Sequence, residues 1–292
     1  MRSWSDWYER HKEDYLFLGI RGLKKSKLGI VGGLIVFGVV MLAILAPWVS
    51  PYDPIAFNTK ERLSPPSWRH PFGTDFFGRD ILSRIIWGAR MSIIVGIISV
   101  SIGFTLGTVI GAISGYYGGI VDEVLGRIMD MLLAFPAILL ALLIVAVLGP
   151  SLENLMVAIG IVYIPRFGRI VRGSVLAVRN AQYIEAAKSV GKSDRSIIWS
   201  EIIPNCVAPI IVNIAICFAI AILSEGALSF LGLGIQPPTP SWGNMLSDSR
   251  RFIESAPWTV VFPGLAITVT VLGLNLFGDG LRDAFDPRLR VD

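Results

Sequence analysis

The sequence predicts an all-α polytopic membrane protein with six transmembrane helices. Three observations carry that prediction: an excess of apolar residues, six apolar runs of spanning length, and an uneven division of Lys and Arg between the segments that join them. Of 292 residues, 53% are hydrophobic and only 16% charged. Leaving out Tyr and counting the 30 Gly brings the apolar share to about 61%, against roughly 45–50% in soluble domains. A water-soluble globule of this length cannot hide so much apolar surface, whereas a chain whose outer face meets lipid need not. The mean hydropathy of +0.64 agrees.

A hydrocarbon core of roughly 30 Å is crossed by about 20 apolar residues in a helix. The first run, near Leu28–Trp48, is longer than a signal-peptide core. Pro47, Trp48 and Val49 make a poor cleavage site, so it reads as an uncleaved anchor. The proline-rich segment Pro51–Pro71 should be extended. Asp80 then caps a short helix in which Ile81, Leu82, Ile85 and Ile86 share a face, expected to lie along the membrane surface. The second run is Ser92–Ala112, where glycines at 103, 107, 111 and 115 form a row that lets another helix approach closely. The third is Ile128–Leu148. The fourth, Leu155–Val171, is cleanly apolar only as far as Ile164, before Pro165 and Arg166. The fifth, Cys206–Leu223, leads through Ser224 and Glu225 into a Gly-rich tail, and the sixth is Val260–Phe277. Trp242 and Trp258 fit an interfacial aromatic belt.

Assigning alternate connections to opposite sides puts 18 of the 26 Lys and Arg on the side of the termini and eight on the other. The side richer in Lys and Arg is the cytoplasmic one, so both termini face the cytoplasm. Residues 1–27 form a cytoplasmic segment and 28–292 a single membrane domain. Within it, 49–91 is an external loop and about 172–205 a cytoplasmic one. The net charge of +4 thus reflects orientation and lipid headgroups rather than nucleic-acid binding.

No catalytic or metal-ligating constellation is present. His11 and His70 stand alone, Cys206 and Cys217 share one apolar stretch, and neither H-E-x-x-H nor G-x-S-x-G occurs. Gly191-Lys192-Ser193 matches the end of a phosphate-binding loop, but the first glycine of that motif would fall at Ala186, and helix rather than strand precedes it. No cofactor is therefore expected in this chain.

The most informative polar segment is Asn180–Asn205, NAQYIEAAKSVGKSDRSIIWSEIIPN. Asn180 suits an N-cap, Ala181–Val190 favour helix, and Gly191 supplies a left-handed stop. Ser193 can cap a second helix, with Pro204 breaking any continuation. Physics alone allows a plain connector or a docking hairpin, in which small Ala186 and Ala187 beside Glu185 let a partner approach.

The spacing Glu185-Ala186-Ala187, three residues, Gly191, then Ile203-Pro204 resembles the EAA loop of permeases in binding-protein-dependent ABC importers. Three further stretches extend the likeness over nearly the whole chain. They are HPFGTDFFGRDILSRIIWGARMS from His70 to Ser92, LSFLGLGIQPPTPSWGNML from Leu228 to Leu246, and NLFGDGLRDAFDPRLR from Asn275 to Arg290. Together they resemble the C-type permease of dipeptide, oligopeptide and nickel importers. The chain departs from many relatives at Glu201, where they carry His.

The resemblance implies a bacterial inner-membrane protein paired with a related permease, two cytoplasmic ATPases that bind ATP and Mg, and an external substrate-binding protein. It implies that Glu185, Ala186, Ala187, Gly191, Lys192, Ser193 and Pro204 belong to the ATPase-coupling loop. Gly73, Thr74, Asp75, Gly78, Arg79 and Asp80 form the external-loop motif, where they either fix a turn or meet the binding protein. The cargo implied is a short peptide, with nickel or a metal chelate as the alternative; a secondary transporter or channel is the reading from another class. Glu225 and Asn213 are the candidates for the translocation pathway. A buried acid beside hydrocarbon needs a wet cavity or a hydrogen-bonded site, and Asn213, like Asn275, also suits an interhelical hydrogen bond.

Overall fold

A computed structural model describes residues 26–285. His11, the basic cluster up to Lys25, and Arg288 and Arg290 lie outside the described residues. Helix α1 (Lys27–Val49) leads through a long connecting segment, helical only over the short turn Thr59–Glu61, to α2 (Ile81–Tyr117). Then follow α3 (Gly119–Leu133), α4 (Ala137–Leu148), α5 (Leu152–Val178), α6 (Gln182–Ser189) and α7 (Asp194–Ile197). Helices α8 (Val207–Phe230), α9 (Trp242–Ser249) and α10 (Trp258–Phe285) complete the bundle. Among the described residues the sheet content is one isolated bridge, Thr74 to Asp80. Five helices are long and apolar enough to span a membrane, and a sixth span results if α3 and α4 count as one. The all-α polytopic architecture is therefore present.

Three elements differ from the sequence expectation. The surface helix after Asp80 is not separate: Asp80 does cap it, accepting from Ser83 N, but helix continues unbroken into the second span. With no proline or cap between Ile81 and Ser92, nothing interrupts the backbone, and the 37 residues extend about 55 Å at 1.5 Å per residue. The third span is broken instead, with α3 and α4 meeting at 88°. Pro136 removes a donor, pushes Phe135 out of helical geometry and occupies the N-cap of α4. Pro204 does not stop the chain. It sits in the first turn of a 3-10 segment, Ile203–Cys206, where its missing N–H is not needed. The π-turn Ile198–Ile202 before it takes up the misfit, so helix runs on into α8.

The glycine row packs α2 against α5. A Cβ at Gly103 would stand 2.6 Å from Tyr163 Cβ, and one at Gly107 would stand 2.6 Å from both Ile164 O and Phe167 Cβ. The contact places Val95, Val100, Leu155, Ile159 and Phe167 in one apolar core that also takes Cys217, Ala221 and Leu228 from α8. Helix α1 lies at the periphery against α10, with Leu34, Phe37 and Trp48 exposed for lipid. Trp242 is no belt residue. It is only 2% exposed, its indole N–H donates to Ile85 O at 3.0 Å, and it fills the space beside Gly88.

Candidate functional site

The candidate residues lie toward the two ends of the bundle. At one, α5 runs out through Arg179 into a tight turn, and α6 begins at Gln182 with Ala181, not Asn180, at its N-cap. Asn180 lies within the turn, so its side chain does not cap the helix. At the far end of α6, Gly191 takes φ +76°. Its N–H donates to Lys188 O at 2.9 Å and that of Lys192 donates to Ala187 O at 3.1 Å, the paired bonds of a Schellman stop. Ser193 stands at the N-cap of α7, although its hydroxyl makes no capping bond.

The hairpin so formed is anchored from below and bare above. Ile184, Ile197, Ile198 and Ile202 are buried in a cluster with Ala112 of α2, Val171 and Val175 of α5, and Ile210 of α8. Glu185, Ala186 and Gly191 are exposed, Val190 is 82% exposed, and Ala187 is half-buried against the cluster. The Lys192 ammonium donates to Ser200 Oγ at 2.8 Å and Glu201 Oε1 at 2.5 Å, tying the turn to the segment before Pro204. Glu201 thus has an intramolecular partner, and Lys192 has a structural one. Tyr116 at the end of α2 donates to Asp194 Oδ1 at 2.7 Å. The hairpin is therefore fastened to α2, α5 and α8 at once.

Beside it, Arg172 grips Asp122 of α3 through two bonds of 2.5 and 2.7 Å, and Arg169 reaches Asp130 at 2.6 Å. Arg166 differs, since its Nε donates to Asn213 Oδ1 at 3.0 Å. These two residues line an open cavity of 470 Å3 between α5, α8 and the last turn of α10. Of the two pathway candidates, Asn213 is the one on this cavity.

Glu225 lies toward the other end and is fully buried. Ser229 Oγ donates to Oε1 at 2.8 Å, and Ser92 Oγ lies 3.4 Å from Oε2. Packing thus gives its carboxylate a hydrogen-bonded setting. Asn275 is exposed on α10.

The segment between α1 and α2 folds back as a cap. The Asp75 carboxylate accepts from the N–H groups of Phe77 and Arg79 at 2.8 and 3.0 Å, and from Arg79 Nε at 2.6 Å. Gly73 and Gly78 take φ near +75° and +73°. A Cβ on Gly73 would stand 2.7 Å from the Trp258 ring, so both the turn and the close approach call for glycine. Thr74 Oγ1 accepts from Ser64 N at 2.9 Å and donates to Glu61 O. His70 does not stand alone. It is 7% exposed, with Nδ1 2.8 Å from Asp80 Oδ1 and Nε2 3.2 Å from Glu61 Oε2. Sequence reasoning missed this tie because its partners come from opposite sides of a folded loop.

The family model for the binding-protein-dependent transport system inner membrane component matches residues 107–291, and that for the N-terminal transmembrane domain of oligopeptide transport permease C matches 17–66. The dipeptide transport system permease protein of Alkalihalophilus pseudofirmus is 50% identical over 286 residues, covering 98% of this chain and 91% of the relative. The protein of that description in Escherichia coli K12 is 47% identical, covering 91% of each chain. A di/tripeptide transport system permease of Pseudomonas aeruginosa is 45% identical, covering 90% of this chain and 89% of its own. With its apolar helices arranged as described, the chain belongs to the inner-membrane components of binding-protein-dependent transport systems and is a multi-pass permease subunit.

Proposed function

We propose that this chain is one of two related permease subunits of an ATP-driven importer, carrying short peptides inward across the bacterial inner membrane. The hairpin carries the reading: a bare upper face of Glu185, Ala186, Val190 and Gly191 over an underside sunk into α2, α5 and α8. A partner pressing on that face moves three spans together, because their shared apolar cluster is close-packed and transmits displacement. Two packings of those spans that open to opposite sides constitute alternating access. The peptide cargo follows from the activities named for the relatives. In this reading residues 1–27, both termini and the coupling loop 172–205 face the cytoplasm, and ATP and Mg are held by two ATPase subunits. The external cap over 49–91 then faces the substrate-binding protein.

The test is uptake of dialanine by the purified complex in proteoliposomes. The reading expects uptake that needs both ATP and the loaded binding protein. Uptake by this permease alone, without nucleotide, would overturn it in favour of a secondary transporter or channel.

A further inference from the structure

The cavity beside α5 has a chemistry that the coupling hairpin does not use. Arg166 lies near the middle of α5, yet it pairs with an amide, whereas Arg169 and Arg172, a turn along, each hold an aspartate. Among the described residues neither Arg166 nor Arg282, which also lines the cavity, has a carboxylate partner, and no lining residue is acidic. An intramembrane guanidinium without an acid is costly unless an anion or water meets it.

Asn213 adds an independent sign. It is 3% exposed, and because its Oδ1 accepts from Arg166, its Nδ2 lies buried in the cavity wall with no oxygen or nitrogen partner and only the weakly accepting Cys217 thiol beside it. A buried amide donor met only by sulfur calls for a stronger acceptor. The remaining guanidinium N–H groups and this amide form a donor-only set, and a planar acceptor with two oxygens satisfies such a fork. The rest of the wall, including Ile170, Val212 and Phe285, is apolar, and 470 Å3 falls within the range of small-ligand sites.

We infer that Arg166 and Asn213 form a carboxylate-binding position that receives the C-terminal carboxylate of a peptide in transit, with Arg282 at the rim drawing it in. This rests on the importer reading and adds the residues that hold the cargo's negative end. The competing occupant is a fixed carboxylate of the partner permease.

The assembled complex in proteoliposomes, supplied with binding protein loaded with radiolabelled dialanine, separates these. Uptake per ATP hydrolysed should fall at least about tenfold in Arg166→Gln, the loss of one charge-assisted contact, with the complex intact; Arg166→Lys, which keeps the charge but loses the two-pronged fork, should fall less far than Arg166→Gln. Asn213→Asp, which supplies Arg166 with an internal carboxylate, should fall similarly. Uptake per ATP within about twofold of wild type in Arg166→Gln overturns the proposal. So does loss of the partner permease on copurification of Arg166→Gln with recovery in Arg166→Lys, which would assign the charge to the subunit interface. In both cases intact wild-type uptake leaves the importer reading standing. A wild-type complex that takes up no dialanine removes the importer reading and this proposal together.

Discussion

Replacing Gly107 by Ala tests the contact on which the bundle is built. The added Cβ would lie 2.6 Å from Ile164 O and 2.6 Å from Phe167 Cβ, whereas carbon atoms rest at about 3.5–4.0 Å. The obstacles are backbone and a Cβ, so no side chain can swing away, and α2 and α5 must part by roughly 1 Å. Overpacking of this kind costs about 1–3 kcal/mol. Ala also gains about 1 kcal/mol over Gly in helix propensity, which would mask part of the loss. Gly173→Ala supplies the correction, since Gly173 lies on α5 with nothing within 4 Å of its would-be Cβ and receives the same propensity gain. The difference between the two variants therefore reports the clash alone. At about 2–4 °C per kcal/mol for a large domain, Gly107→Ala should melt several degrees below Gly173→Ala in detergent, followed by size-exclusion after heating. Equal apparent melting temperatures would refute the close α2–α5 approach.

Three further outcomes follow from the same structure. Asp75→Asn removes the carboxylate held by the buried Arg79 and lying 3.7 Å from Arg84. Breaking a buried ion pair costs up to about 3–5 kcal/mol, reduced here because Asp248 Oδ2 stays 3.5 Å from Arg79 and Pro54 O still accepts from Arg84, so limited proteolysis should cut the cap between α1 and α2 faster than in wild type. Cysteines introduced at exposed Ser67 and Ser255 in a Cys-free background should label from outside intact cells, and one at Ser189 should not. Labelling at Ser189 would reverse the orientation. Lys192→Ala should leave nucleotide binding by the complex unchanged, because its ammonium serves Glu201 and Ser200; loss of that binding would revive the phosphate-loop match.

The sequence made the spans legible because apolar runs of spanning length can be counted without knowing what they pack against. It also exposed the Gly191 stop and the glycine row, since both depend on local geometry and spacing. Proline was ambiguous: Pro47, Pro165 and Pro263 sit inside helices, Pro136 accompanies a right-angled break, and Pro204 is absorbed by a π-turn. The outcome depends on whether tertiary neighbours hold the freed backbone in line, which no local pattern records. Trp242 looked interfacial because indoles favour that boundary, yet the vacancy beside Gly88, far away in the chain, takes it inward. The cavity was half legible. Asn213 stood out as a polar residue in an apolar run, while Arg166 entered as an interruption of the fourth apolar run until the fold set the two 3.0 Å apart.

The central claim is that the exposed face of the hairpin is where the ATPases dock. Ala186 and Val190 are exposed, so an aspartate at either place is tolerated by a solvated connector but leaves a desolvated, unpaired charge in an interface, at several kcal/mol. The most direct measurement is recovery of the ATPase subunits with the tagged permease from membranes carrying Ala186→Asp or Val190→Asp. The account predicts that both variants insert and retain the partner permease but lose most of the ATPase and, with it, ATP-driven uptake. Undiminished ATPase recovery with transport intact in both would contradict it and leave the hairpin a connector.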